Sequence, residues 1–223
     1  MKIALKAVAF DIDGTLYSDW SLYLRIIPYV IKHLSFFLAY DRVRKTLRRT
    51  APLADFFEYQ ARLLAEELHI ASPEARELID RIIYQGLKPY FKKIKPYAHS
   101  IMTVRAFYDA GLKIAILSDF PPAQKGDIWG LAQFCDVILG SEEIGALKPS
   151  KYAFGILANT LEMLPEEILY VGNSIASDIQ GAHNAGMKTA YRLPLWRKIT
   201  GKIPVQADIS FRNYRQLQKF VLQ

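Results

Sequence analysis

The sequence predicts an α/β fold: a doubly wound parallel sheet with helices on both faces, interrupted by a long helical stretch. Three observations predict it. After residue 96, short apolar runs rich in β-formers alternate with helical segments. Between Trp20 and Tyr90 strand signals are few and the pattern is helical. Several of the apolar runs end in small or acidic polar residues, and an open parallel sheet keeps its ligands beyond the carboxyl ends of its strands.

Taken in order, Lys6 to Phe10 (KAVAF) reads as a buried strand broken by Asp11-Ile12-Asp13-Gly14-Thr15. The run from Leu22 to Tyr40 reads as one or two amphipathic helices interrupted near Pro28. Phe56, Phe57, Tyr59, Leu63 and Leu64 follow helical spacing. Ser72-Pro73-Glu74 predicts a helix start, with Ser72 as cap and Pro73 at the first helical position. Gly86 to Pro96, with a glycine, two prolines and several lysines, reads as a connector. Ser100 to Ala110 is a predicted helix stopped by Gly111. Lys113 to Leu117 predicts a strand running into Ser118-Asp119, and residues 121–132 a helix. Val137 to Leu139 predicts a strand, Ser150 to Glu162 a helix, and Ile168 to Val171 a strand ending at Gly172-Asn173-Ser174. Asp178 to Ala185 is a predicted helix ended by Gly186, and Thr189 to Tyr191 and Asp208 to Ser210 are candidate edge strands.

Composition excludes several classes. At 51% hydrophobic and 23% charged, the 223 residues suit a folded globular chain rather than a disordered or collagen-like one. The single cysteine, Cys135, excludes an internal disulfide and a multi-cysteine zinc site. No secretory leader is read, so the cytoplasm is the expected compartment. The net charge of +7 suits nucleic acid, an anionic membrane surface or phosphates. No zinc-finger spacing or RNP-type aromatic strand accompanies it, so no nucleic-acid partner is expected. The 22–40 run has the length of a membrane span but carries Arg25, Lys32 and His33, so no span is expected and surface association stays open.

The polar residues at strand ends carry the chemistry. Asp11 and Asp13 cannot both be buried without partners, and a divalent cation such as Mg²⁺ would neutralise them. Ser118 can donate its hydroxyl and backbone N–H to a phosphate oxygen, and Lys148, before Pro149, can neutralise phosphate charge. Each has an ordinary reading: Asp13-Gly14 as a turn, Ser118 as a helix cap, Lys148 as a solvated loop, Asp178 as a cap or dipole-compensating acid. Their order along successive strand ends makes the set stronger than its members.

At these motifs the sequence resembles the haloacid dehalogenase superfamily of aspartate-nucleophile phosphohydrolases. Asp11-Ile12-Asp13-Gly14-Thr15-Leu16-Tyr17 is similar to its first motif, Ile116-Leu117-Ser118-Asp119 to the second and Leu147-Lys148-Pro149 to the third. Val171-Gly172-Asn173-Ser174 through Asp178-Ile179, continuing Gly181-Ala182 and Asn184-Ala185-Gly186-Met187, is similar to the fourth. The resemblance implies a Rossmann-like core of residues 1–17 and 97–223, with an inserted α-helical cap of residues 18–96. It implies a Mg²⁺-dependent phosphatase of a small phosphorylated metabolite. Asp11 would be the nucleophile and Asp13 the proton shuttle, with Gly14, Ser118 and Lys148 on the phosphate. Mg²⁺ would be held by Asp11, the Asp13 backbone carbonyl and Asp178, with Asn173 where the family usually has Asp. That departure keeps open an alternative, a catalytically weak binding or regulatory protein of the same fold. A phosphoryl-transferring mutase would need a sugar-phosphate-handling residue in the cap, and nothing marks one. Tyr17, Trp20, Tyr23 and Arg25 either line an entrance or pack the inserted helices.

Overall fold

A computed structural model describes residues 5–194 and 207–223. Six parallel strands form one sheet in the order β3-β2-β1-β4-β5-β6. They are β1 (Ala7–Phe10), β2 (Lys113–Ser118), β3 (Val137–Gly140), β4 (Ile168–Gly172), β5 (Lys188–Arg192) and β6 (Ile209–Phe211). The chain runs outward from β1 through β2 to β3, then returns to the other side of β1 for β4 to β6. The reversal between β1 and β4 opens a crevice at their carboxyl ends, which is where such sheets bind ligands.

The central strands are apolar on both faces because both faces are covered. Side chains alternate across a strand. Val8 and Phe10, Ile114 and Ile116, Leu169 and Val171 accordingly join one core with α6 (Ser100–Asp109) and the C-terminal helix Tyr214–Leu222. Ala7 and Ala9, Ala115 and Leu117, Ile168 and Tyr170 face the opposite core, built with α8 (Lys151–Leu161) and α9 (Gln180–Asn184).

Between β1 and β2 lie α1 (Asp19–Lys32), α2 (Leu34–Leu47), α3 (Phe56–Leu68), α4 (Ser72–Ile79), a π-helical turn (Asp80–Gln85) and α5 (Lys88–Phe91). The chain enters and leaves this segment side by side. Tyr17 pairs with Pro96 in an antiparallel bridge, and the Tyr97 N–H donates to the Leu16 carbonyl. One hydrophobic cluster runs from Phe10 and Ile12 through Leu64 and Ile83, so these helices and the sheet share a core. A short helix, α7 (Ser141–Ile144), follows β3 and brings Glu142 into that contact.

Several details differ from the sequence reading. Pro28 is accommodated inside α1, and the helix breaks at His33 instead, where α1 and α2 meet at 114°. Ala71, not Ser72, caps α4; the Ser72 hydroxyl is turned to Glu58. Residues 121–132 hold a 3₁₀ turn at Pro122–Lys125, and a second follows at Ala132–Phe134, in place of one helix. Gly126 and Gly130 lie at positive φ there, as do Ile128 and Trp129, which no α-helix allows. The strand at 189–191 is not an edge, because β6 pairs beyond it. The connector at 86–96 contains α5.

Candidate active site

The residues predicted from the sequence meet at the carboxyl ends of β1, β2 and β4. Asp11 follows β1 directly and is buried. Its Oδ1 accepts a hydrogen bond from Lys148 Nζ at 2.7 Å and its Oδ2 one from Thr15 Oγ1 at 2.9 Å. Lys148, also buried, reaches Asp178 Oδ1 at 2.7 Å and the Tyr170 hydroxyl at 3.1 Å. One ammonium therefore bridges two carboxylates 167 positions apart in the chain. The other Asp178 oxygen accepts from the backbone N–H groups of Asn173 and Ser174, at 3.1 and 2.9 Å. Gly172 makes this possible: a Cβ there would lie 2.3 Å from that of Asp178.

Asp13 is partly exposed and faces a separate cation. Its Oδ2 lies 3.0 Å from Lys125 Nζ and 3.4 Å from the Ser118 hydroxyl, while its Oδ1 accepts from the Tyr17 hydroxyl. The Lys125 side chain is enclosed beside the rings of Phe91 and Phe120, 5.0 and 5.6 Å from their centroids. Gly14 turns the chain at a φ of 79°. A Cβ there would stand 2.0 Å from Asn173 Nδ2 and 2.3 Å from Asp19 Oδ2, so only glycine leaves room for that pair. The Asn173 amide accepts from Thr15 Oγ1 at 3.1 Å and donates to Asp19 Oδ2 at 3.2 Å.

Charge in the crevice is unbalanced. Burial, with repulsion from Asp178 and Asp13, outweighs Lys148 and pushes the Asp11 carboxyl up to about 8. Burial and Asp13 raise Asp19 to about 6, against the pull of Arg192 and the Asn173 hydrogen bond. Lys148 is held well above the ordinary lysine value, because Asp11 and Asp178 outweigh its burial. All predicted site residues converge: Asp11, Asp13, Gly14, Ser118, Lys148, Asn173 and Asp178.

Sequence reasoning passed over Asp19, Arg48, Lys125 and Tyr170 as parts of this network, gave Thr15 and Asp119 no role within their motifs, and placed Tyr17 at an entrance or in helix packing, whereas it is buried and donates to Asp13. Arg48, at the end of α2, donates to the Lys148 carbonyl at 2.6 Å and pairs with Asp119 Oδ2 at 2.7 Å. Asp119 Oδ1 in turn accepts the Lys148 N–H at 3.2 Å. Although Asp119 is half-buried, Lys148 and Arg48 hold its carboxyl below the ordinary range. An inserted helix thus grips the loop that carries Lys148. A buried cluster of Arg44, Gln60, Tyr84 and Glu142 makes a second such link, in which Arg44 and Tyr84 both donate to Glu142.

Asp11 and Asp178 converge on the Lys148 ammonium, and the oxygens of these two buried carboxylates, with the Asn173 side-chain carbonyl nearby, are of the kind that a hard divalent cation takes. No group of three His, Cys, Asp or Glu side chains among the described residues could hold a metal. A cation here would therefore rest on two carboxylates plus neutral oxygens, an arrangement that Mg²⁺ accepts.

A family model for haloacid dehalogenase-like hydrolases matches residues 5–186. The chain belongs to that family, and its six-stranded parallel sheet agrees with it. A glyceraldehyde 3-phosphate phosphatase from Methanopyrus kandleri is 30% identical over 197 residues, covering 83% of this chain and 82% of that protein. A phosphoglycolate phosphatase from Aquifex aeolicus is 28% identical, with 90% of each chain covered. A phosphatase of the same family from Thermococcus onnurineus has a solved structure that matches with a TM-score of 0.66 at 24% identity, covering 97% of this chain and 98% of that one.

Proposed function

We propose that this chain hydrolyses a small phosphomonoester through a covalent phosphate on Asp11. The observation that carries the reading is the pair Asp11 and Asp13 at the carboxyl end of the central strand, each facing its own buried lysine. The names of its relatives support a phosphatase, and the metabolites in those names are short phosphorylated acids and aldehydes.

In this reading, an Asp11 carboxylate oxygen attacks phosphorus and the bond from phosphorus to the leaving oxygen breaks. Asp13 gives its proton to that oxygen, so the product leaves as an alcohol. Asp13, now a carboxylate, takes a proton from water as the water oxygen attacks phosphorus, which frees Asp11 and releases phosphate. Lys148 orients Asp11 and Asp178 and offsets charge on the phosphoryl oxygens. Ser118 and the backbone N–H groups about Gly14 complete that cradle. A Mg²⁺ held by Asp11, the Asp13 carbonyl and Asp178, with Asn173 beside it, would supply the charge that lets an anionic nucleophile meet an anionic ester.

Residues 18–96 act as a cap that covers the site and contacts the leaving group, and the described residues of 1–17 and 97–223 form the core; residues 1–4 and 195–206 of that range lie outside the described residues. The adjacent crossings at Tyr17 and Pro96 support this division. No single described helix is long and apolar enough to cross a membrane. The test is phosphate release from a panel of small phosphomonoesters with and without Mg²⁺. Metal-dependent release with a clear substrate ranking supports the reading. Tight substrate binding without release would favour a regulatory protein, the alternative that rests on Asn173.

A further inference from the structure

We propose that α1 and the start of α2 form a docking surface for an anionic lipid bilayer. A helix in a globular protein normally buries its apolar stripe. Here α1 buries Leu22 and Ile26 yet leaves a second apolar stripe facing outward. Trp20, Tyr23, Leu24, Ile27 and Ile31 fall within an arc of about 100° at 3.6 residues per turn. Trp20 is 69% exposed, Leu24 64% and Ile31 66%, and Leu38 on α2, beyond the bend, is 54% exposed. Contiguous apolar surface of this kind marks an interaction site.

The rim selects the partner. Arg25 and Lys32 are exposed, seven residues apart, on one flank of the stripe. The packed neighbour α5 brings Lys88, followed by exposed Lys92, Lys93 and Lys95. Among the described residues, none of these six meets a carboxylate within ion-pair distance. A second copy of the chain docked on the same face would bring like charges together. An anionic surface would pair with them. Aromatic residues with aliphatic ones on one face and bases beside them are what an interfacial helix presents to lipid headgroups and acyl chains. At 14 residues α1 is about 21 Å long, too short for the hydrocarbon core, and the 114° bend at His33 breaks any continuation. The helix therefore lies in the interface plane.

The experiment is flotation of the full chain with vesicles of phosphatidylcholine alone and of phosphatidylcholine mixed with phosphatidylserine. Binding to the mixed vesicles, weakened by added salt, is expected. Ile27→Asp with Ile31→Asp should lower the partition coefficient at least about tenfold. Arg25→Gln with Lys32→Gln should lower it about fivefold per base. Circular dichroism checks that each variant is folded, and if the aspartate pair is not, the exposed Arg25/Lys32 pair decides. Absence of wild-type binding to mixed vesicles overturns the proposal, as does binding that both pairs leave unchanged. So does a dimer in sedimentation velocity that the same substitutions dissolve while vesicles go unbound. Phosphate release from a water-soluble ester should be unchanged in the Ile27/Ile31 variant, so vesicle docking and catalysis are tested separately.

Discussion

Replacing Asp11 with Asn should remove turnover and at the same time stabilise the native state in the absence of metal. The amide cannot attack phosphorus, so activity goes. Stability rises because the crevice buries too much negative charge. Asp11, Asp13 and Asp178 face only Lys148 and Lys125, and the Asp11→Asn change leaves one carboxylate for each ammonium. The unfolded chain ionises this carboxyl near 3.8 and the native state near 8, so between those values the native state binds more protons. Wild-type stability therefore falls as pH rises through that window. At neutral pH the gap is about three pH units at about 1.4 kcal/mol each, a ceiling of about 4 kcal/mol. Lys148 loses one charged hydrogen-bond partner in the variant, worth about 1.5–3 kcal/mol, which leaves a net gain of at most about 1–2.5 kcal/mol. Urea unfolding in EDTA at about pH 5 and about pH 8 reads this directly, and the advantage of the variant should grow toward the higher pH. A variant less stable than wild type at both values, or an advantage that shrinks as pH rises, would refute the charge-imbalance argument.

Three further outcomes follow from the same geometry. Asp13→Asn should lower kcat by roughly 10²–10⁴-fold on an ester with a poor leaving group, because the proton shuttle is gone. An activated aryl ester, which needs no protonation to leave, should lose less in the first step, and burst kinetics on the two esters separate the cases. Asn173→Asp should lower the Mg²⁺ concentration for half-maximal activity, read by titration at saturating substrate. It should also lower thermal stability in metal-free buffer, because it turns a hydrogen bond to Asp19 into a contact between carboxylates. Arg48→Ala should cut kcat about tenfold or more through loss of its grip on the Lys148 carbonyl and Asp119, with partial recovery on adding guanidinium to the assay.

The strands and most of the site were legible because both are written in local pattern. Short apolar runs mark the buried strands; Asp11, Ser118 and Asn173 stand at or just beyond the ends of such runs, and Lys148 in the connection that follows another. The partners that complete the site were not legible. Arg48 falls within the long helical pattern and Lys125 within residues 121–132, predicted as a helix, so neither stands at a strand end. Only the tertiary fold shows that the first grips the Lys148 loop and the second is enclosed against Phe91 and Phe120. Asp19, in the first turn of α1, carries no such mark in the sequence, and only the fold shows that it holds the Asn173 amide. The break was expected near Pro28 and not at His33 because proline removes one backbone hydrogen bond and crowds the preceding turn, a local cost that does not end α1, which buries Leu22 and Ile26 and runs past Pro28. The turns at 121–132 were missed because Ile128 and Trp129, which adopt positive φ, carry no turn signal in the sequence.

The most direct test of the central claim is to trap phosphate on Asp11. The Asp13→Asn variant should be mixed with an activated aryl phosphate and Mg²⁺, quenched in acid and examined by peptide mass spectrometry. Attack by Asp11 needs no proton shuttle with this leaving group, whereas hydrolysis of the acyl phosphate does, so the intermediate should accumulate. The expected result is a hydroxylamine-sensitive phosphate on the peptide containing Asp11, absent when Asp11 is also replaced by Asn. Phosphate on another residue, or sustained turnover with no label on Asp11, would contradict a covalent mechanism through this aspartate.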